Sequence, residues 1–302
     1  MDPGRRGDGM NIIWLDDAGC QDVSCVGGKV ANLSRLASDY QVPSGFCLTT
    51  AAFQEWARQG DGRADEFPPE LQRQLADAYV EMAKRCDTEL PSVAVRSSAI
   101  DEDGRFASFA GQYETYLNLS GDAAVADAVL RCWHSTGAER VTEYRQRYGQ
   151  SLDSIEMAVL VQRLVPADSS AVIFSANPVT ANRDEVVINA SWGLGESVVG
   201  GTVSPDTFTI DKRNLSVTES KISDKELMTV LVPDGTREVP VPRFMRSQPA
   251  LSEEQLVATA QLAIRLEEKM GWPVDVETAY CKDELYLLQC RLITTLIEPD
   301  QT

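Results

Sequence analysis

Near the C-terminal end of the 302-residue sequence, Asp275 and Glu277 stand two apart, and Gln289 and Arg291 repeat that spacing. Residues two apart on a strand share a face, and the run VDVETAYCKDELYLLQCRLIT (274–294) reads as a β-hairpin. With Lys282-Asp283-Glu284 as the loop, Cys281 opposes Leu285, Glu277 opposes Gln289 and Asp275 opposes Arg291. A four-residue loop would put Glu277 and Gln289 on opposite faces. In the first register two carboxylates, an amide oxygen and a guanidinium converge. That donor set suits magnesium carrying nucleotide phosphates, because magnesium takes one or two such protein ligands. The same residues also suit a surface ion pair between Asp275 and Arg291, which contributes little.

A second constellation surrounds Arg96 in the stretch SVAVRSSAIDEDGRFASFAGQYETYLNL (92–119). Val93-Ala94-Val95 reads as a short buried strand ending in Arg96-Ser97-Ser98. A loop of small residues follows, holding Gly104, Ala107, Ser108, Ala110 and Gly111, before Gln112–Leu119 resumes an extended pattern. A planar five-donor fork at a strand end, beside a loop whose backbone N–H groups are little screened, suits a polyphosphate. An ordinary structural ion pair beside a surface loop uses the same residues. Lys29 follows Gly27-Gly28 and opens a helical run to Ala37. A lysine in a first turn opposes the helix dipole, which makes sense if helix and lysine share a phosphate, but a solvated lysine is the simpler account. The Walker A spacing is absent. Met157–Val161 is a buried-strand run that flows into Gln162, Arg163, Leu164 and Val165, where free backbone groups beside apolar side chains could hold an adenine, but a plain strand end is the simpler account. Trp192–Glu196 is a glycine-containing loop.

These residues need a frame. A chain this long suits one large domain or two lobes. Hydrophobic residues make up 43% and charged residues 25%, ordinary for a globular protein. The net charge of −18 argues against nucleic acid as a partner and makes any anion-binding Arg or Lys more informative, because local cations must overcome the global field. The cysteines number seven, an odd count, with no C-x-x-C pair, so reduced thiols in a cytoplasmic protein are expected. No apolar run reaches membrane-span length, and residues 1–11 lack the core of a signal peptide. His134 is the only histidine, on a helical stretch, and carries no assigned chemistry.

The pattern predicts strands at Asn11–Leu15, after Val42-Pro43-Ser44, at Ala171–Ser175 and at Glu185–Ala190. It predicts helices through Phe53 and Trp56, over Glu70–Cys86 and over most of Asp122–Tyr148. Short strands and loops fill 202–247. The clearest helix is Ser252–Gly271, with a capping box from Ser252 and Gln255 and an apolar face of Leu256, Ala260, Ala263, Ile264 and Met270.

GGKVANL, VPSGF, VAVRSSAIDED, SFAGQYETYLN, VLVQRLV, FSANPVT, GLGESVVGG, SPDTF, DVE and LYLLQCRLIT occur in one order. This ordered set resembles the N-terminal nucleotide-binding domain of the phosphoenolpyruvate synthase and pyruvate phosphate dikinase family, shared by rifampin phosphotransferases. The resemblance runs from Gly27 to Thr294. It implies an α+β, ATP-grasp fold with an N-terminal lobe over 1–165, a C-terminal lobe over 166–302 and ATP in the cleft between them. It implies that Lys29, Arg96 and Arg291 contact ATP phosphates and act in catalysis. By the same resemblance Thr115 lines the nucleotide site, Gln162, Arg163, Leu164 and Val165 form an adenine-binding link, and Glu277 and Gln289 hold Mg2+, with Asp275 nearby.

In that family ATP phosphorylates a histidine on a separate mobile domain. The sequence ends soon after the ATP domain, without that domain or a phosphoenolpyruvate-binding barrel. Leu292 stands where the family usually has Pro, Thr278 where it often has Trp and Ala171 where it often has Gly; none of these is an expected ATP ligand. The expectation is therefore an ATP- and magnesium-dependent phosphotransferase acting alone on a small molecule. The alternatives are the ATP subunit of a split dikinase, whose partner chain carries the histidine, an ATP-grasp ligase working through an acyl phosphate, and a nucleotide sensor without catalysis.

Overall fold

The computed structural model describes residues 10–59, 66–100, 115–137, 156–233 and 235–296. The chain is mixed α+β and divides into two compact units. The first runs to Leu164 apart from Tyr40–Val42; the second comprises Tyr40–Val42 and the chain from Val165.

In the first unit, β1 (Ile12–Trp14), β2 (Gly45–Leu48), β3 (Val93–Ala99), β4 (Thr115–Leu119) and β5 (Met157–Arg163) form a five-stranded sheet in the order β1-β2-β5-β3-β4. All its pairings are antiparallel. Met157–Val161 is apolar without alternation because β5 is the central strand and is covered on both faces. Three helices, α2 (Thr50–Arg58), α3 (Pro69–Arg85) and α4 (Asp122–His134), supply Phe53, Trp56, Leu75, Met82 and Trp133 to a core that includes Val93, Val95, Val159 and Val161. Trp56 and Trp133 meet at 5.4 Å between ring centroids. Truncating either to alanine would cost about 3–5 kcal/mol. The other face receives α1 (Val23–Leu36), which packs on β3 and β5.

In the second unit, β6 (Ser169–Phe174), β7 (Glu185–Trp192), β8 (Asp206–Asp211), β9 (Val217–Lys221), β12 (Val274–Cys281) and β13 (Glu284–Leu292) form a six-stranded sheet in the order β13-β12-β6-β7-β8-β9. A separate hairpin pairs β10 (Leu227–Val232) with β11 (Gly235–Pro240). A short helix, α5 (Glu196–Val199), follows β7. The long helix α6 (Glu253–Met270) begins with the capping box expected from Ser252 and Gln255 and stops at Gly271, where φ is 78°. Its buried Leu256, Ala260 and Ala263 face the sheet, and Tyr280 of β12 bonds to Thr259 and to the Gln255 carbonyl, each at 3.0 Å. Among the described residues no helix is long and apolar enough to cross a membrane. Burial raises the thiol pKa of Cys20 to about 12 and that of Cys47 well above its ordinary value.

Two local expectations need correction. The strand carrying Arg96 runs one residue beyond the expected end at Arg96-Ser97-Ser98, to Ala99, since β5 pairs with it along its whole length. The hairpin loop is Lys282-Asp283, two residues rather than three, because Cys281 pairs with Glu284 and Tyr280 with Leu285. Lys282 and Asp283 have φ of 50° and 66°, the left-handed pair that a tight two-residue hairpin turn requires.

Candidate nucleotide site

The first unit places a group of the expected residues on one sheet face. Strand alternation gives Arg96 and Ser98 the same face of β3. Ser98 meets α1 on that face: its hydroxyl donates to the Val26 carbonyl at 2.8 Å. At this point α1 breaks, with Gly27 at φ 73° and ψ 166°, and resumes at Gly28. A side chain at Gly27 has no room, since its Cβ would lie 2.4 Å from the Ser98 carbonyl oxygen. The break thus creates a second helix start inside α1. Lys29, half-buried, sits in its first turn, on the sheet face that carries Arg96.

Register adds two more residues. Thr115 pairs with Arg96 across β4, and Gln162 pairs with Ala94, two residues from Arg96, so both take the Arg96 face. Thr115 is exposed and Arg96 half-buried. Gln162 is buried and donates to the Pro43 carbonyl at 3.3 Å. Arg163 takes the opposite face and is exposed. Several of the backbone groups expected to be free there are paired. Gln162 is paired on both sides, the Arg163 N–H donates to Ser44 at 2.8 Å and the Leu164 N–H to Ser92 at 2.9 Å. These bonds fix where β5 ends. Leu164 is half-buried, and Val165, which opens the second unit, is buried. The small-residue loop with Gly104, Ala107, Ser108, Ala110 and Gly111 lies outside the described residues.

The second unit holds the other constellation. Glu277 pairs directly with Gln289, and Asp275 with Arg291, so all four side chains take one face of the sheet. Arg291 is held by Asp275, with Nε donating to Oδ2 at 2.8 Å and Nη2 2.7 Å from the same oxygen. Asp275 is buried and Arg291 half-buried, a geometry that fixes the guanidinium plane more firmly than a surface pair does. On the same face, β6 places Phe174 beside Asp275 and Val172 beside Glu277, and β7 places Asn189 beside Val172. Together with Val198, Val199 and Pro205, these residues line a cavity of about 340 Å³ that includes Asp275, Glu277 and Arg291. That volume lies within the range of small-molecule sites.

Sequence reasoning missed Val172, Phe174, Asn189, Val198, Val199 and Pro205. Strand alternation marked the strand residues as facing one way or the other, but nothing local says that β6 and β7 lie next to β12. The Gly193 position had a usable signal. Its φ is 76°, and a Cβ there would lie 2.3 Å from the Thr229 carbonyl oxygen, so only glycine fits. The neighbouring Leu194 N–H donates to that same carbonyl at 2.9 Å. This contact fixes the loop that leads into α5.

The donor chemistry fits a hard cation. Among the described residues no group of three or more His, Cys, Asp and Glu could hold a metal by itself. Glu277 and Gln289 provide one carboxylate and one amide oxygen across a strand pair, a set that magnesium completes with phosphate oxygens and water.

Comparison with known proteins identifies the family. Phosphoenolpyruvate synthase of Pyrococcus furiosus is 35% identical over 360 aligned residues, which cover 95% of this chain and 44% of that protein. Rifampicin phosphotransferase of Streptomyces sviceus is 36% identical, covering 94% of this chain and 36% of that protein. The chain therefore spans less than half the length of these relatives. D-alanyl-alanine synthetase A from Vibrio cholerae aligns over 87% of this chain and 56% of its own at 12% identity, with a TM-score of 0.34, a likeness too distant to argue from. The family model of the pyruvate phosphate dikinase AMP/ATP-binding domain matches residues 63–302. The chain belongs to the pyruvate phosphate dikinase AMP/ATP-binding domain family.

Proposed function

We propose that this chain is an ATP- and magnesium-dependent phosphotransferase that moves the terminal phosphoryl group of ATP to a small-molecule acceptor. The observation that carries this reading is the Glu277–Gln289 pair beside the Asp275–Arg291 pair on one sheet face, with Glu277, Asp275 and Arg291 lining one cavity. Glu277 and Gln289 would hold Mg2+, which supplies charge neutralisation at the phosphate oxygens. Arg291, oriented by Asp275, together with Lys29 and Arg96, would be the cations that offset phosphate charge. Thr115, Gln162, Arg163, Leu164 and Val165 would shape the rest of the nucleotide site, in the ATP-grasp manner. Transfer breaks the bond between the terminal phosphorus and its bridging oxygen, forms a bond to an acceptor oxygen and leaves ADP.

A second reading has a specific support. The 35% identity to a phosphoenolpyruvate synthase favours dikinase chemistry, with a histidine on a partner chain or domain as first acceptor. Nucleotide products separate the readings. ATP labelled in its terminal phosphate would be incubated with the protein, magnesium and a fractionated small-molecule extract. ADP together with a labelled small molecule is expected. AMP would establish the dikinase reading instead, and ADP with an unlabelled amide product would indicate a ligase. Absence of ATP consumption and of magnesium-dependent ATP binding would overturn the proposal.

A further inference from the structure

The second unit carries a larger cavity on the opposite face of its sheet. Register fixes this. Phe208 pairs with Ile188, which pairs with Ile173 and so with Val276, while Ser169 pairs with both Tyr280 and Trp192. These residues belong to the face covered by α6, whereas Glu277 and Asp275 belong to the other. The cavity has a volume of about 760 Å³ and takes its walls from both rows and from the N-terminal end of α6. Its apolar lining includes Trp192, Phe208, Ile222, Pro249, Leu251 and Leu256. This size and lining suit a small organic molecule.

Its charged groups all have one sign. Asp168, Glu253 and Asp283 line it, and no lysine or arginine does. None of the three carboxylates has an ion-pair partner among the described residues. The Asp168 Oδ2 accepts from the Lys282 N–H at 2.7 Å and the Asp283 Oδ1 from the Gln255 side chain at 3.2 Å. Glu253 makes no side-chain hydrogen bond among the described residues. At the helix start the capping box already uses the Gln255 N–H and the Ser252 N–H, and Glu253 in the first turn opposes an anion there. An anion would face three carboxylates within a protein of net charge −18.

We propose that this cavity binds an amphipathic organic cation, its apolar body against Trp192, Phe208 and Leu256 and its ammonium group at the carboxylate rim. The site is separate from the one facing Glu277 and does not depend on the phosphotransferase reading.

The test uses 4-phenylbutylamine as the probe, with 4-phenylbutanol and 4-phenylbutyrate as neutral and anionic counterparts of the same shape, in titrations followed by amide NMR shifts. The amine should bind about 10-fold more tightly than the alcohol, and the acid should bind least. Shifts should fall on Ser220, Ile222, Gln248 and Leu251. Glu253→Gln with Asp168→Asn should weaken the amine about 5-fold or more and leave the alcohol unchanged. Ser220→Trp, on an exposed edge strand, should abolish binding of both by filling the space. Equal affinity for the three probes, an amine affinity indifferent to the carboxylate changes, or shifts confined to the Glu277 face would each overturn the proposal.

Discussion

Glu277 lies directly across from Gln289, and a one-residue bulge puts it there. The turn at Lys282-Asp283 sets a register that runs without interruption to Thr278 and Leu287, then steps past Leu288 to join Glu277 with Gln289. A two-residue turn alone would have set Glu277 opposite Leu288 and sent Gln289 to the other face. Bulges commonly re-aim side chains near functional sites. Deleting Leu288 should therefore preserve the Glu277–Gln289 pairing by closing the ladder in register. We expect the deletion to keep magnesium-dependent ATP affinity within about 3-fold of the parent, a change of under about 1 kcal/mol. Calorimetry would check it, and complete loss of that affinity in a folded protein would contradict the register argument.

Gly27 is the second sharp test. Gly27→Ala would force a side chain into a left-handed backbone position and against the Ser98 carbonyl. The conformational cost alone is about 1–3 kcal/mol, and the overlap adds to it. Urea unfolding should show at least that loss, with ATP affinity falling further than stability explains because Lys29 moves with the helix start. A variant with parental stability would show that the break in α1 is dispensable.

The ion pair of Lys225 and Asp206 makes a different prediction. Both side chains are fully buried, 2.6 Å apart. Asp206 also accepts from the N–H groups of Ser223 and Ala250, at 2.9 and 2.8 Å. Lys225→Met should cost about 3–5 kcal/mol by stranding a buried carboxylate. Replacing both partners with apolar residues should not restore stability, because two backbone donors then lose their acceptor. Denaturant midpoints for the single and double variants decide this; full recovery in the double variant would refute the role given to the backbone donors.

Much of this was legible wherever the signal was local. The capping box of α6 needed only Ser252, Gln255 and the apolar spacing behind them. The pairing of Asp275 with Arg291 and of Glu277 with Gln289 was also anticipated, but from a three-residue loop. A shorter loop plus a bulge gives the same parity, and no residue type near Leu288 announces the bulge. The Arg96 strand was legible to within one residue, but the burial of Ser97 and Ser98 by pairing with β5 and by contact with α1 is not revealed by sequence spacing. The cavity partners Val172 and Asn189 depend on sheet order, which is a long-range property.

The central claim is that Glu277 helps to hold the magnesium that accompanies bound ATP, and Glu277→Gln tests it most directly. The change keeps the shape and removes the charge. ATP would be titrated calorimetrically into parent and variant, with saturating magnesium and again with EDTA, and melting temperatures recorded for both. The account predicts that magnesium strengthens ATP binding to the parent, that the variant loses about 10-fold or more of that gain, roughly 1.4 kcal/mol, and that affinity in EDTA and the melting temperature change little. A variant that keeps the full parental gain from magnesium would contradict the account and make Glu277 an ordinary cavity carboxylate.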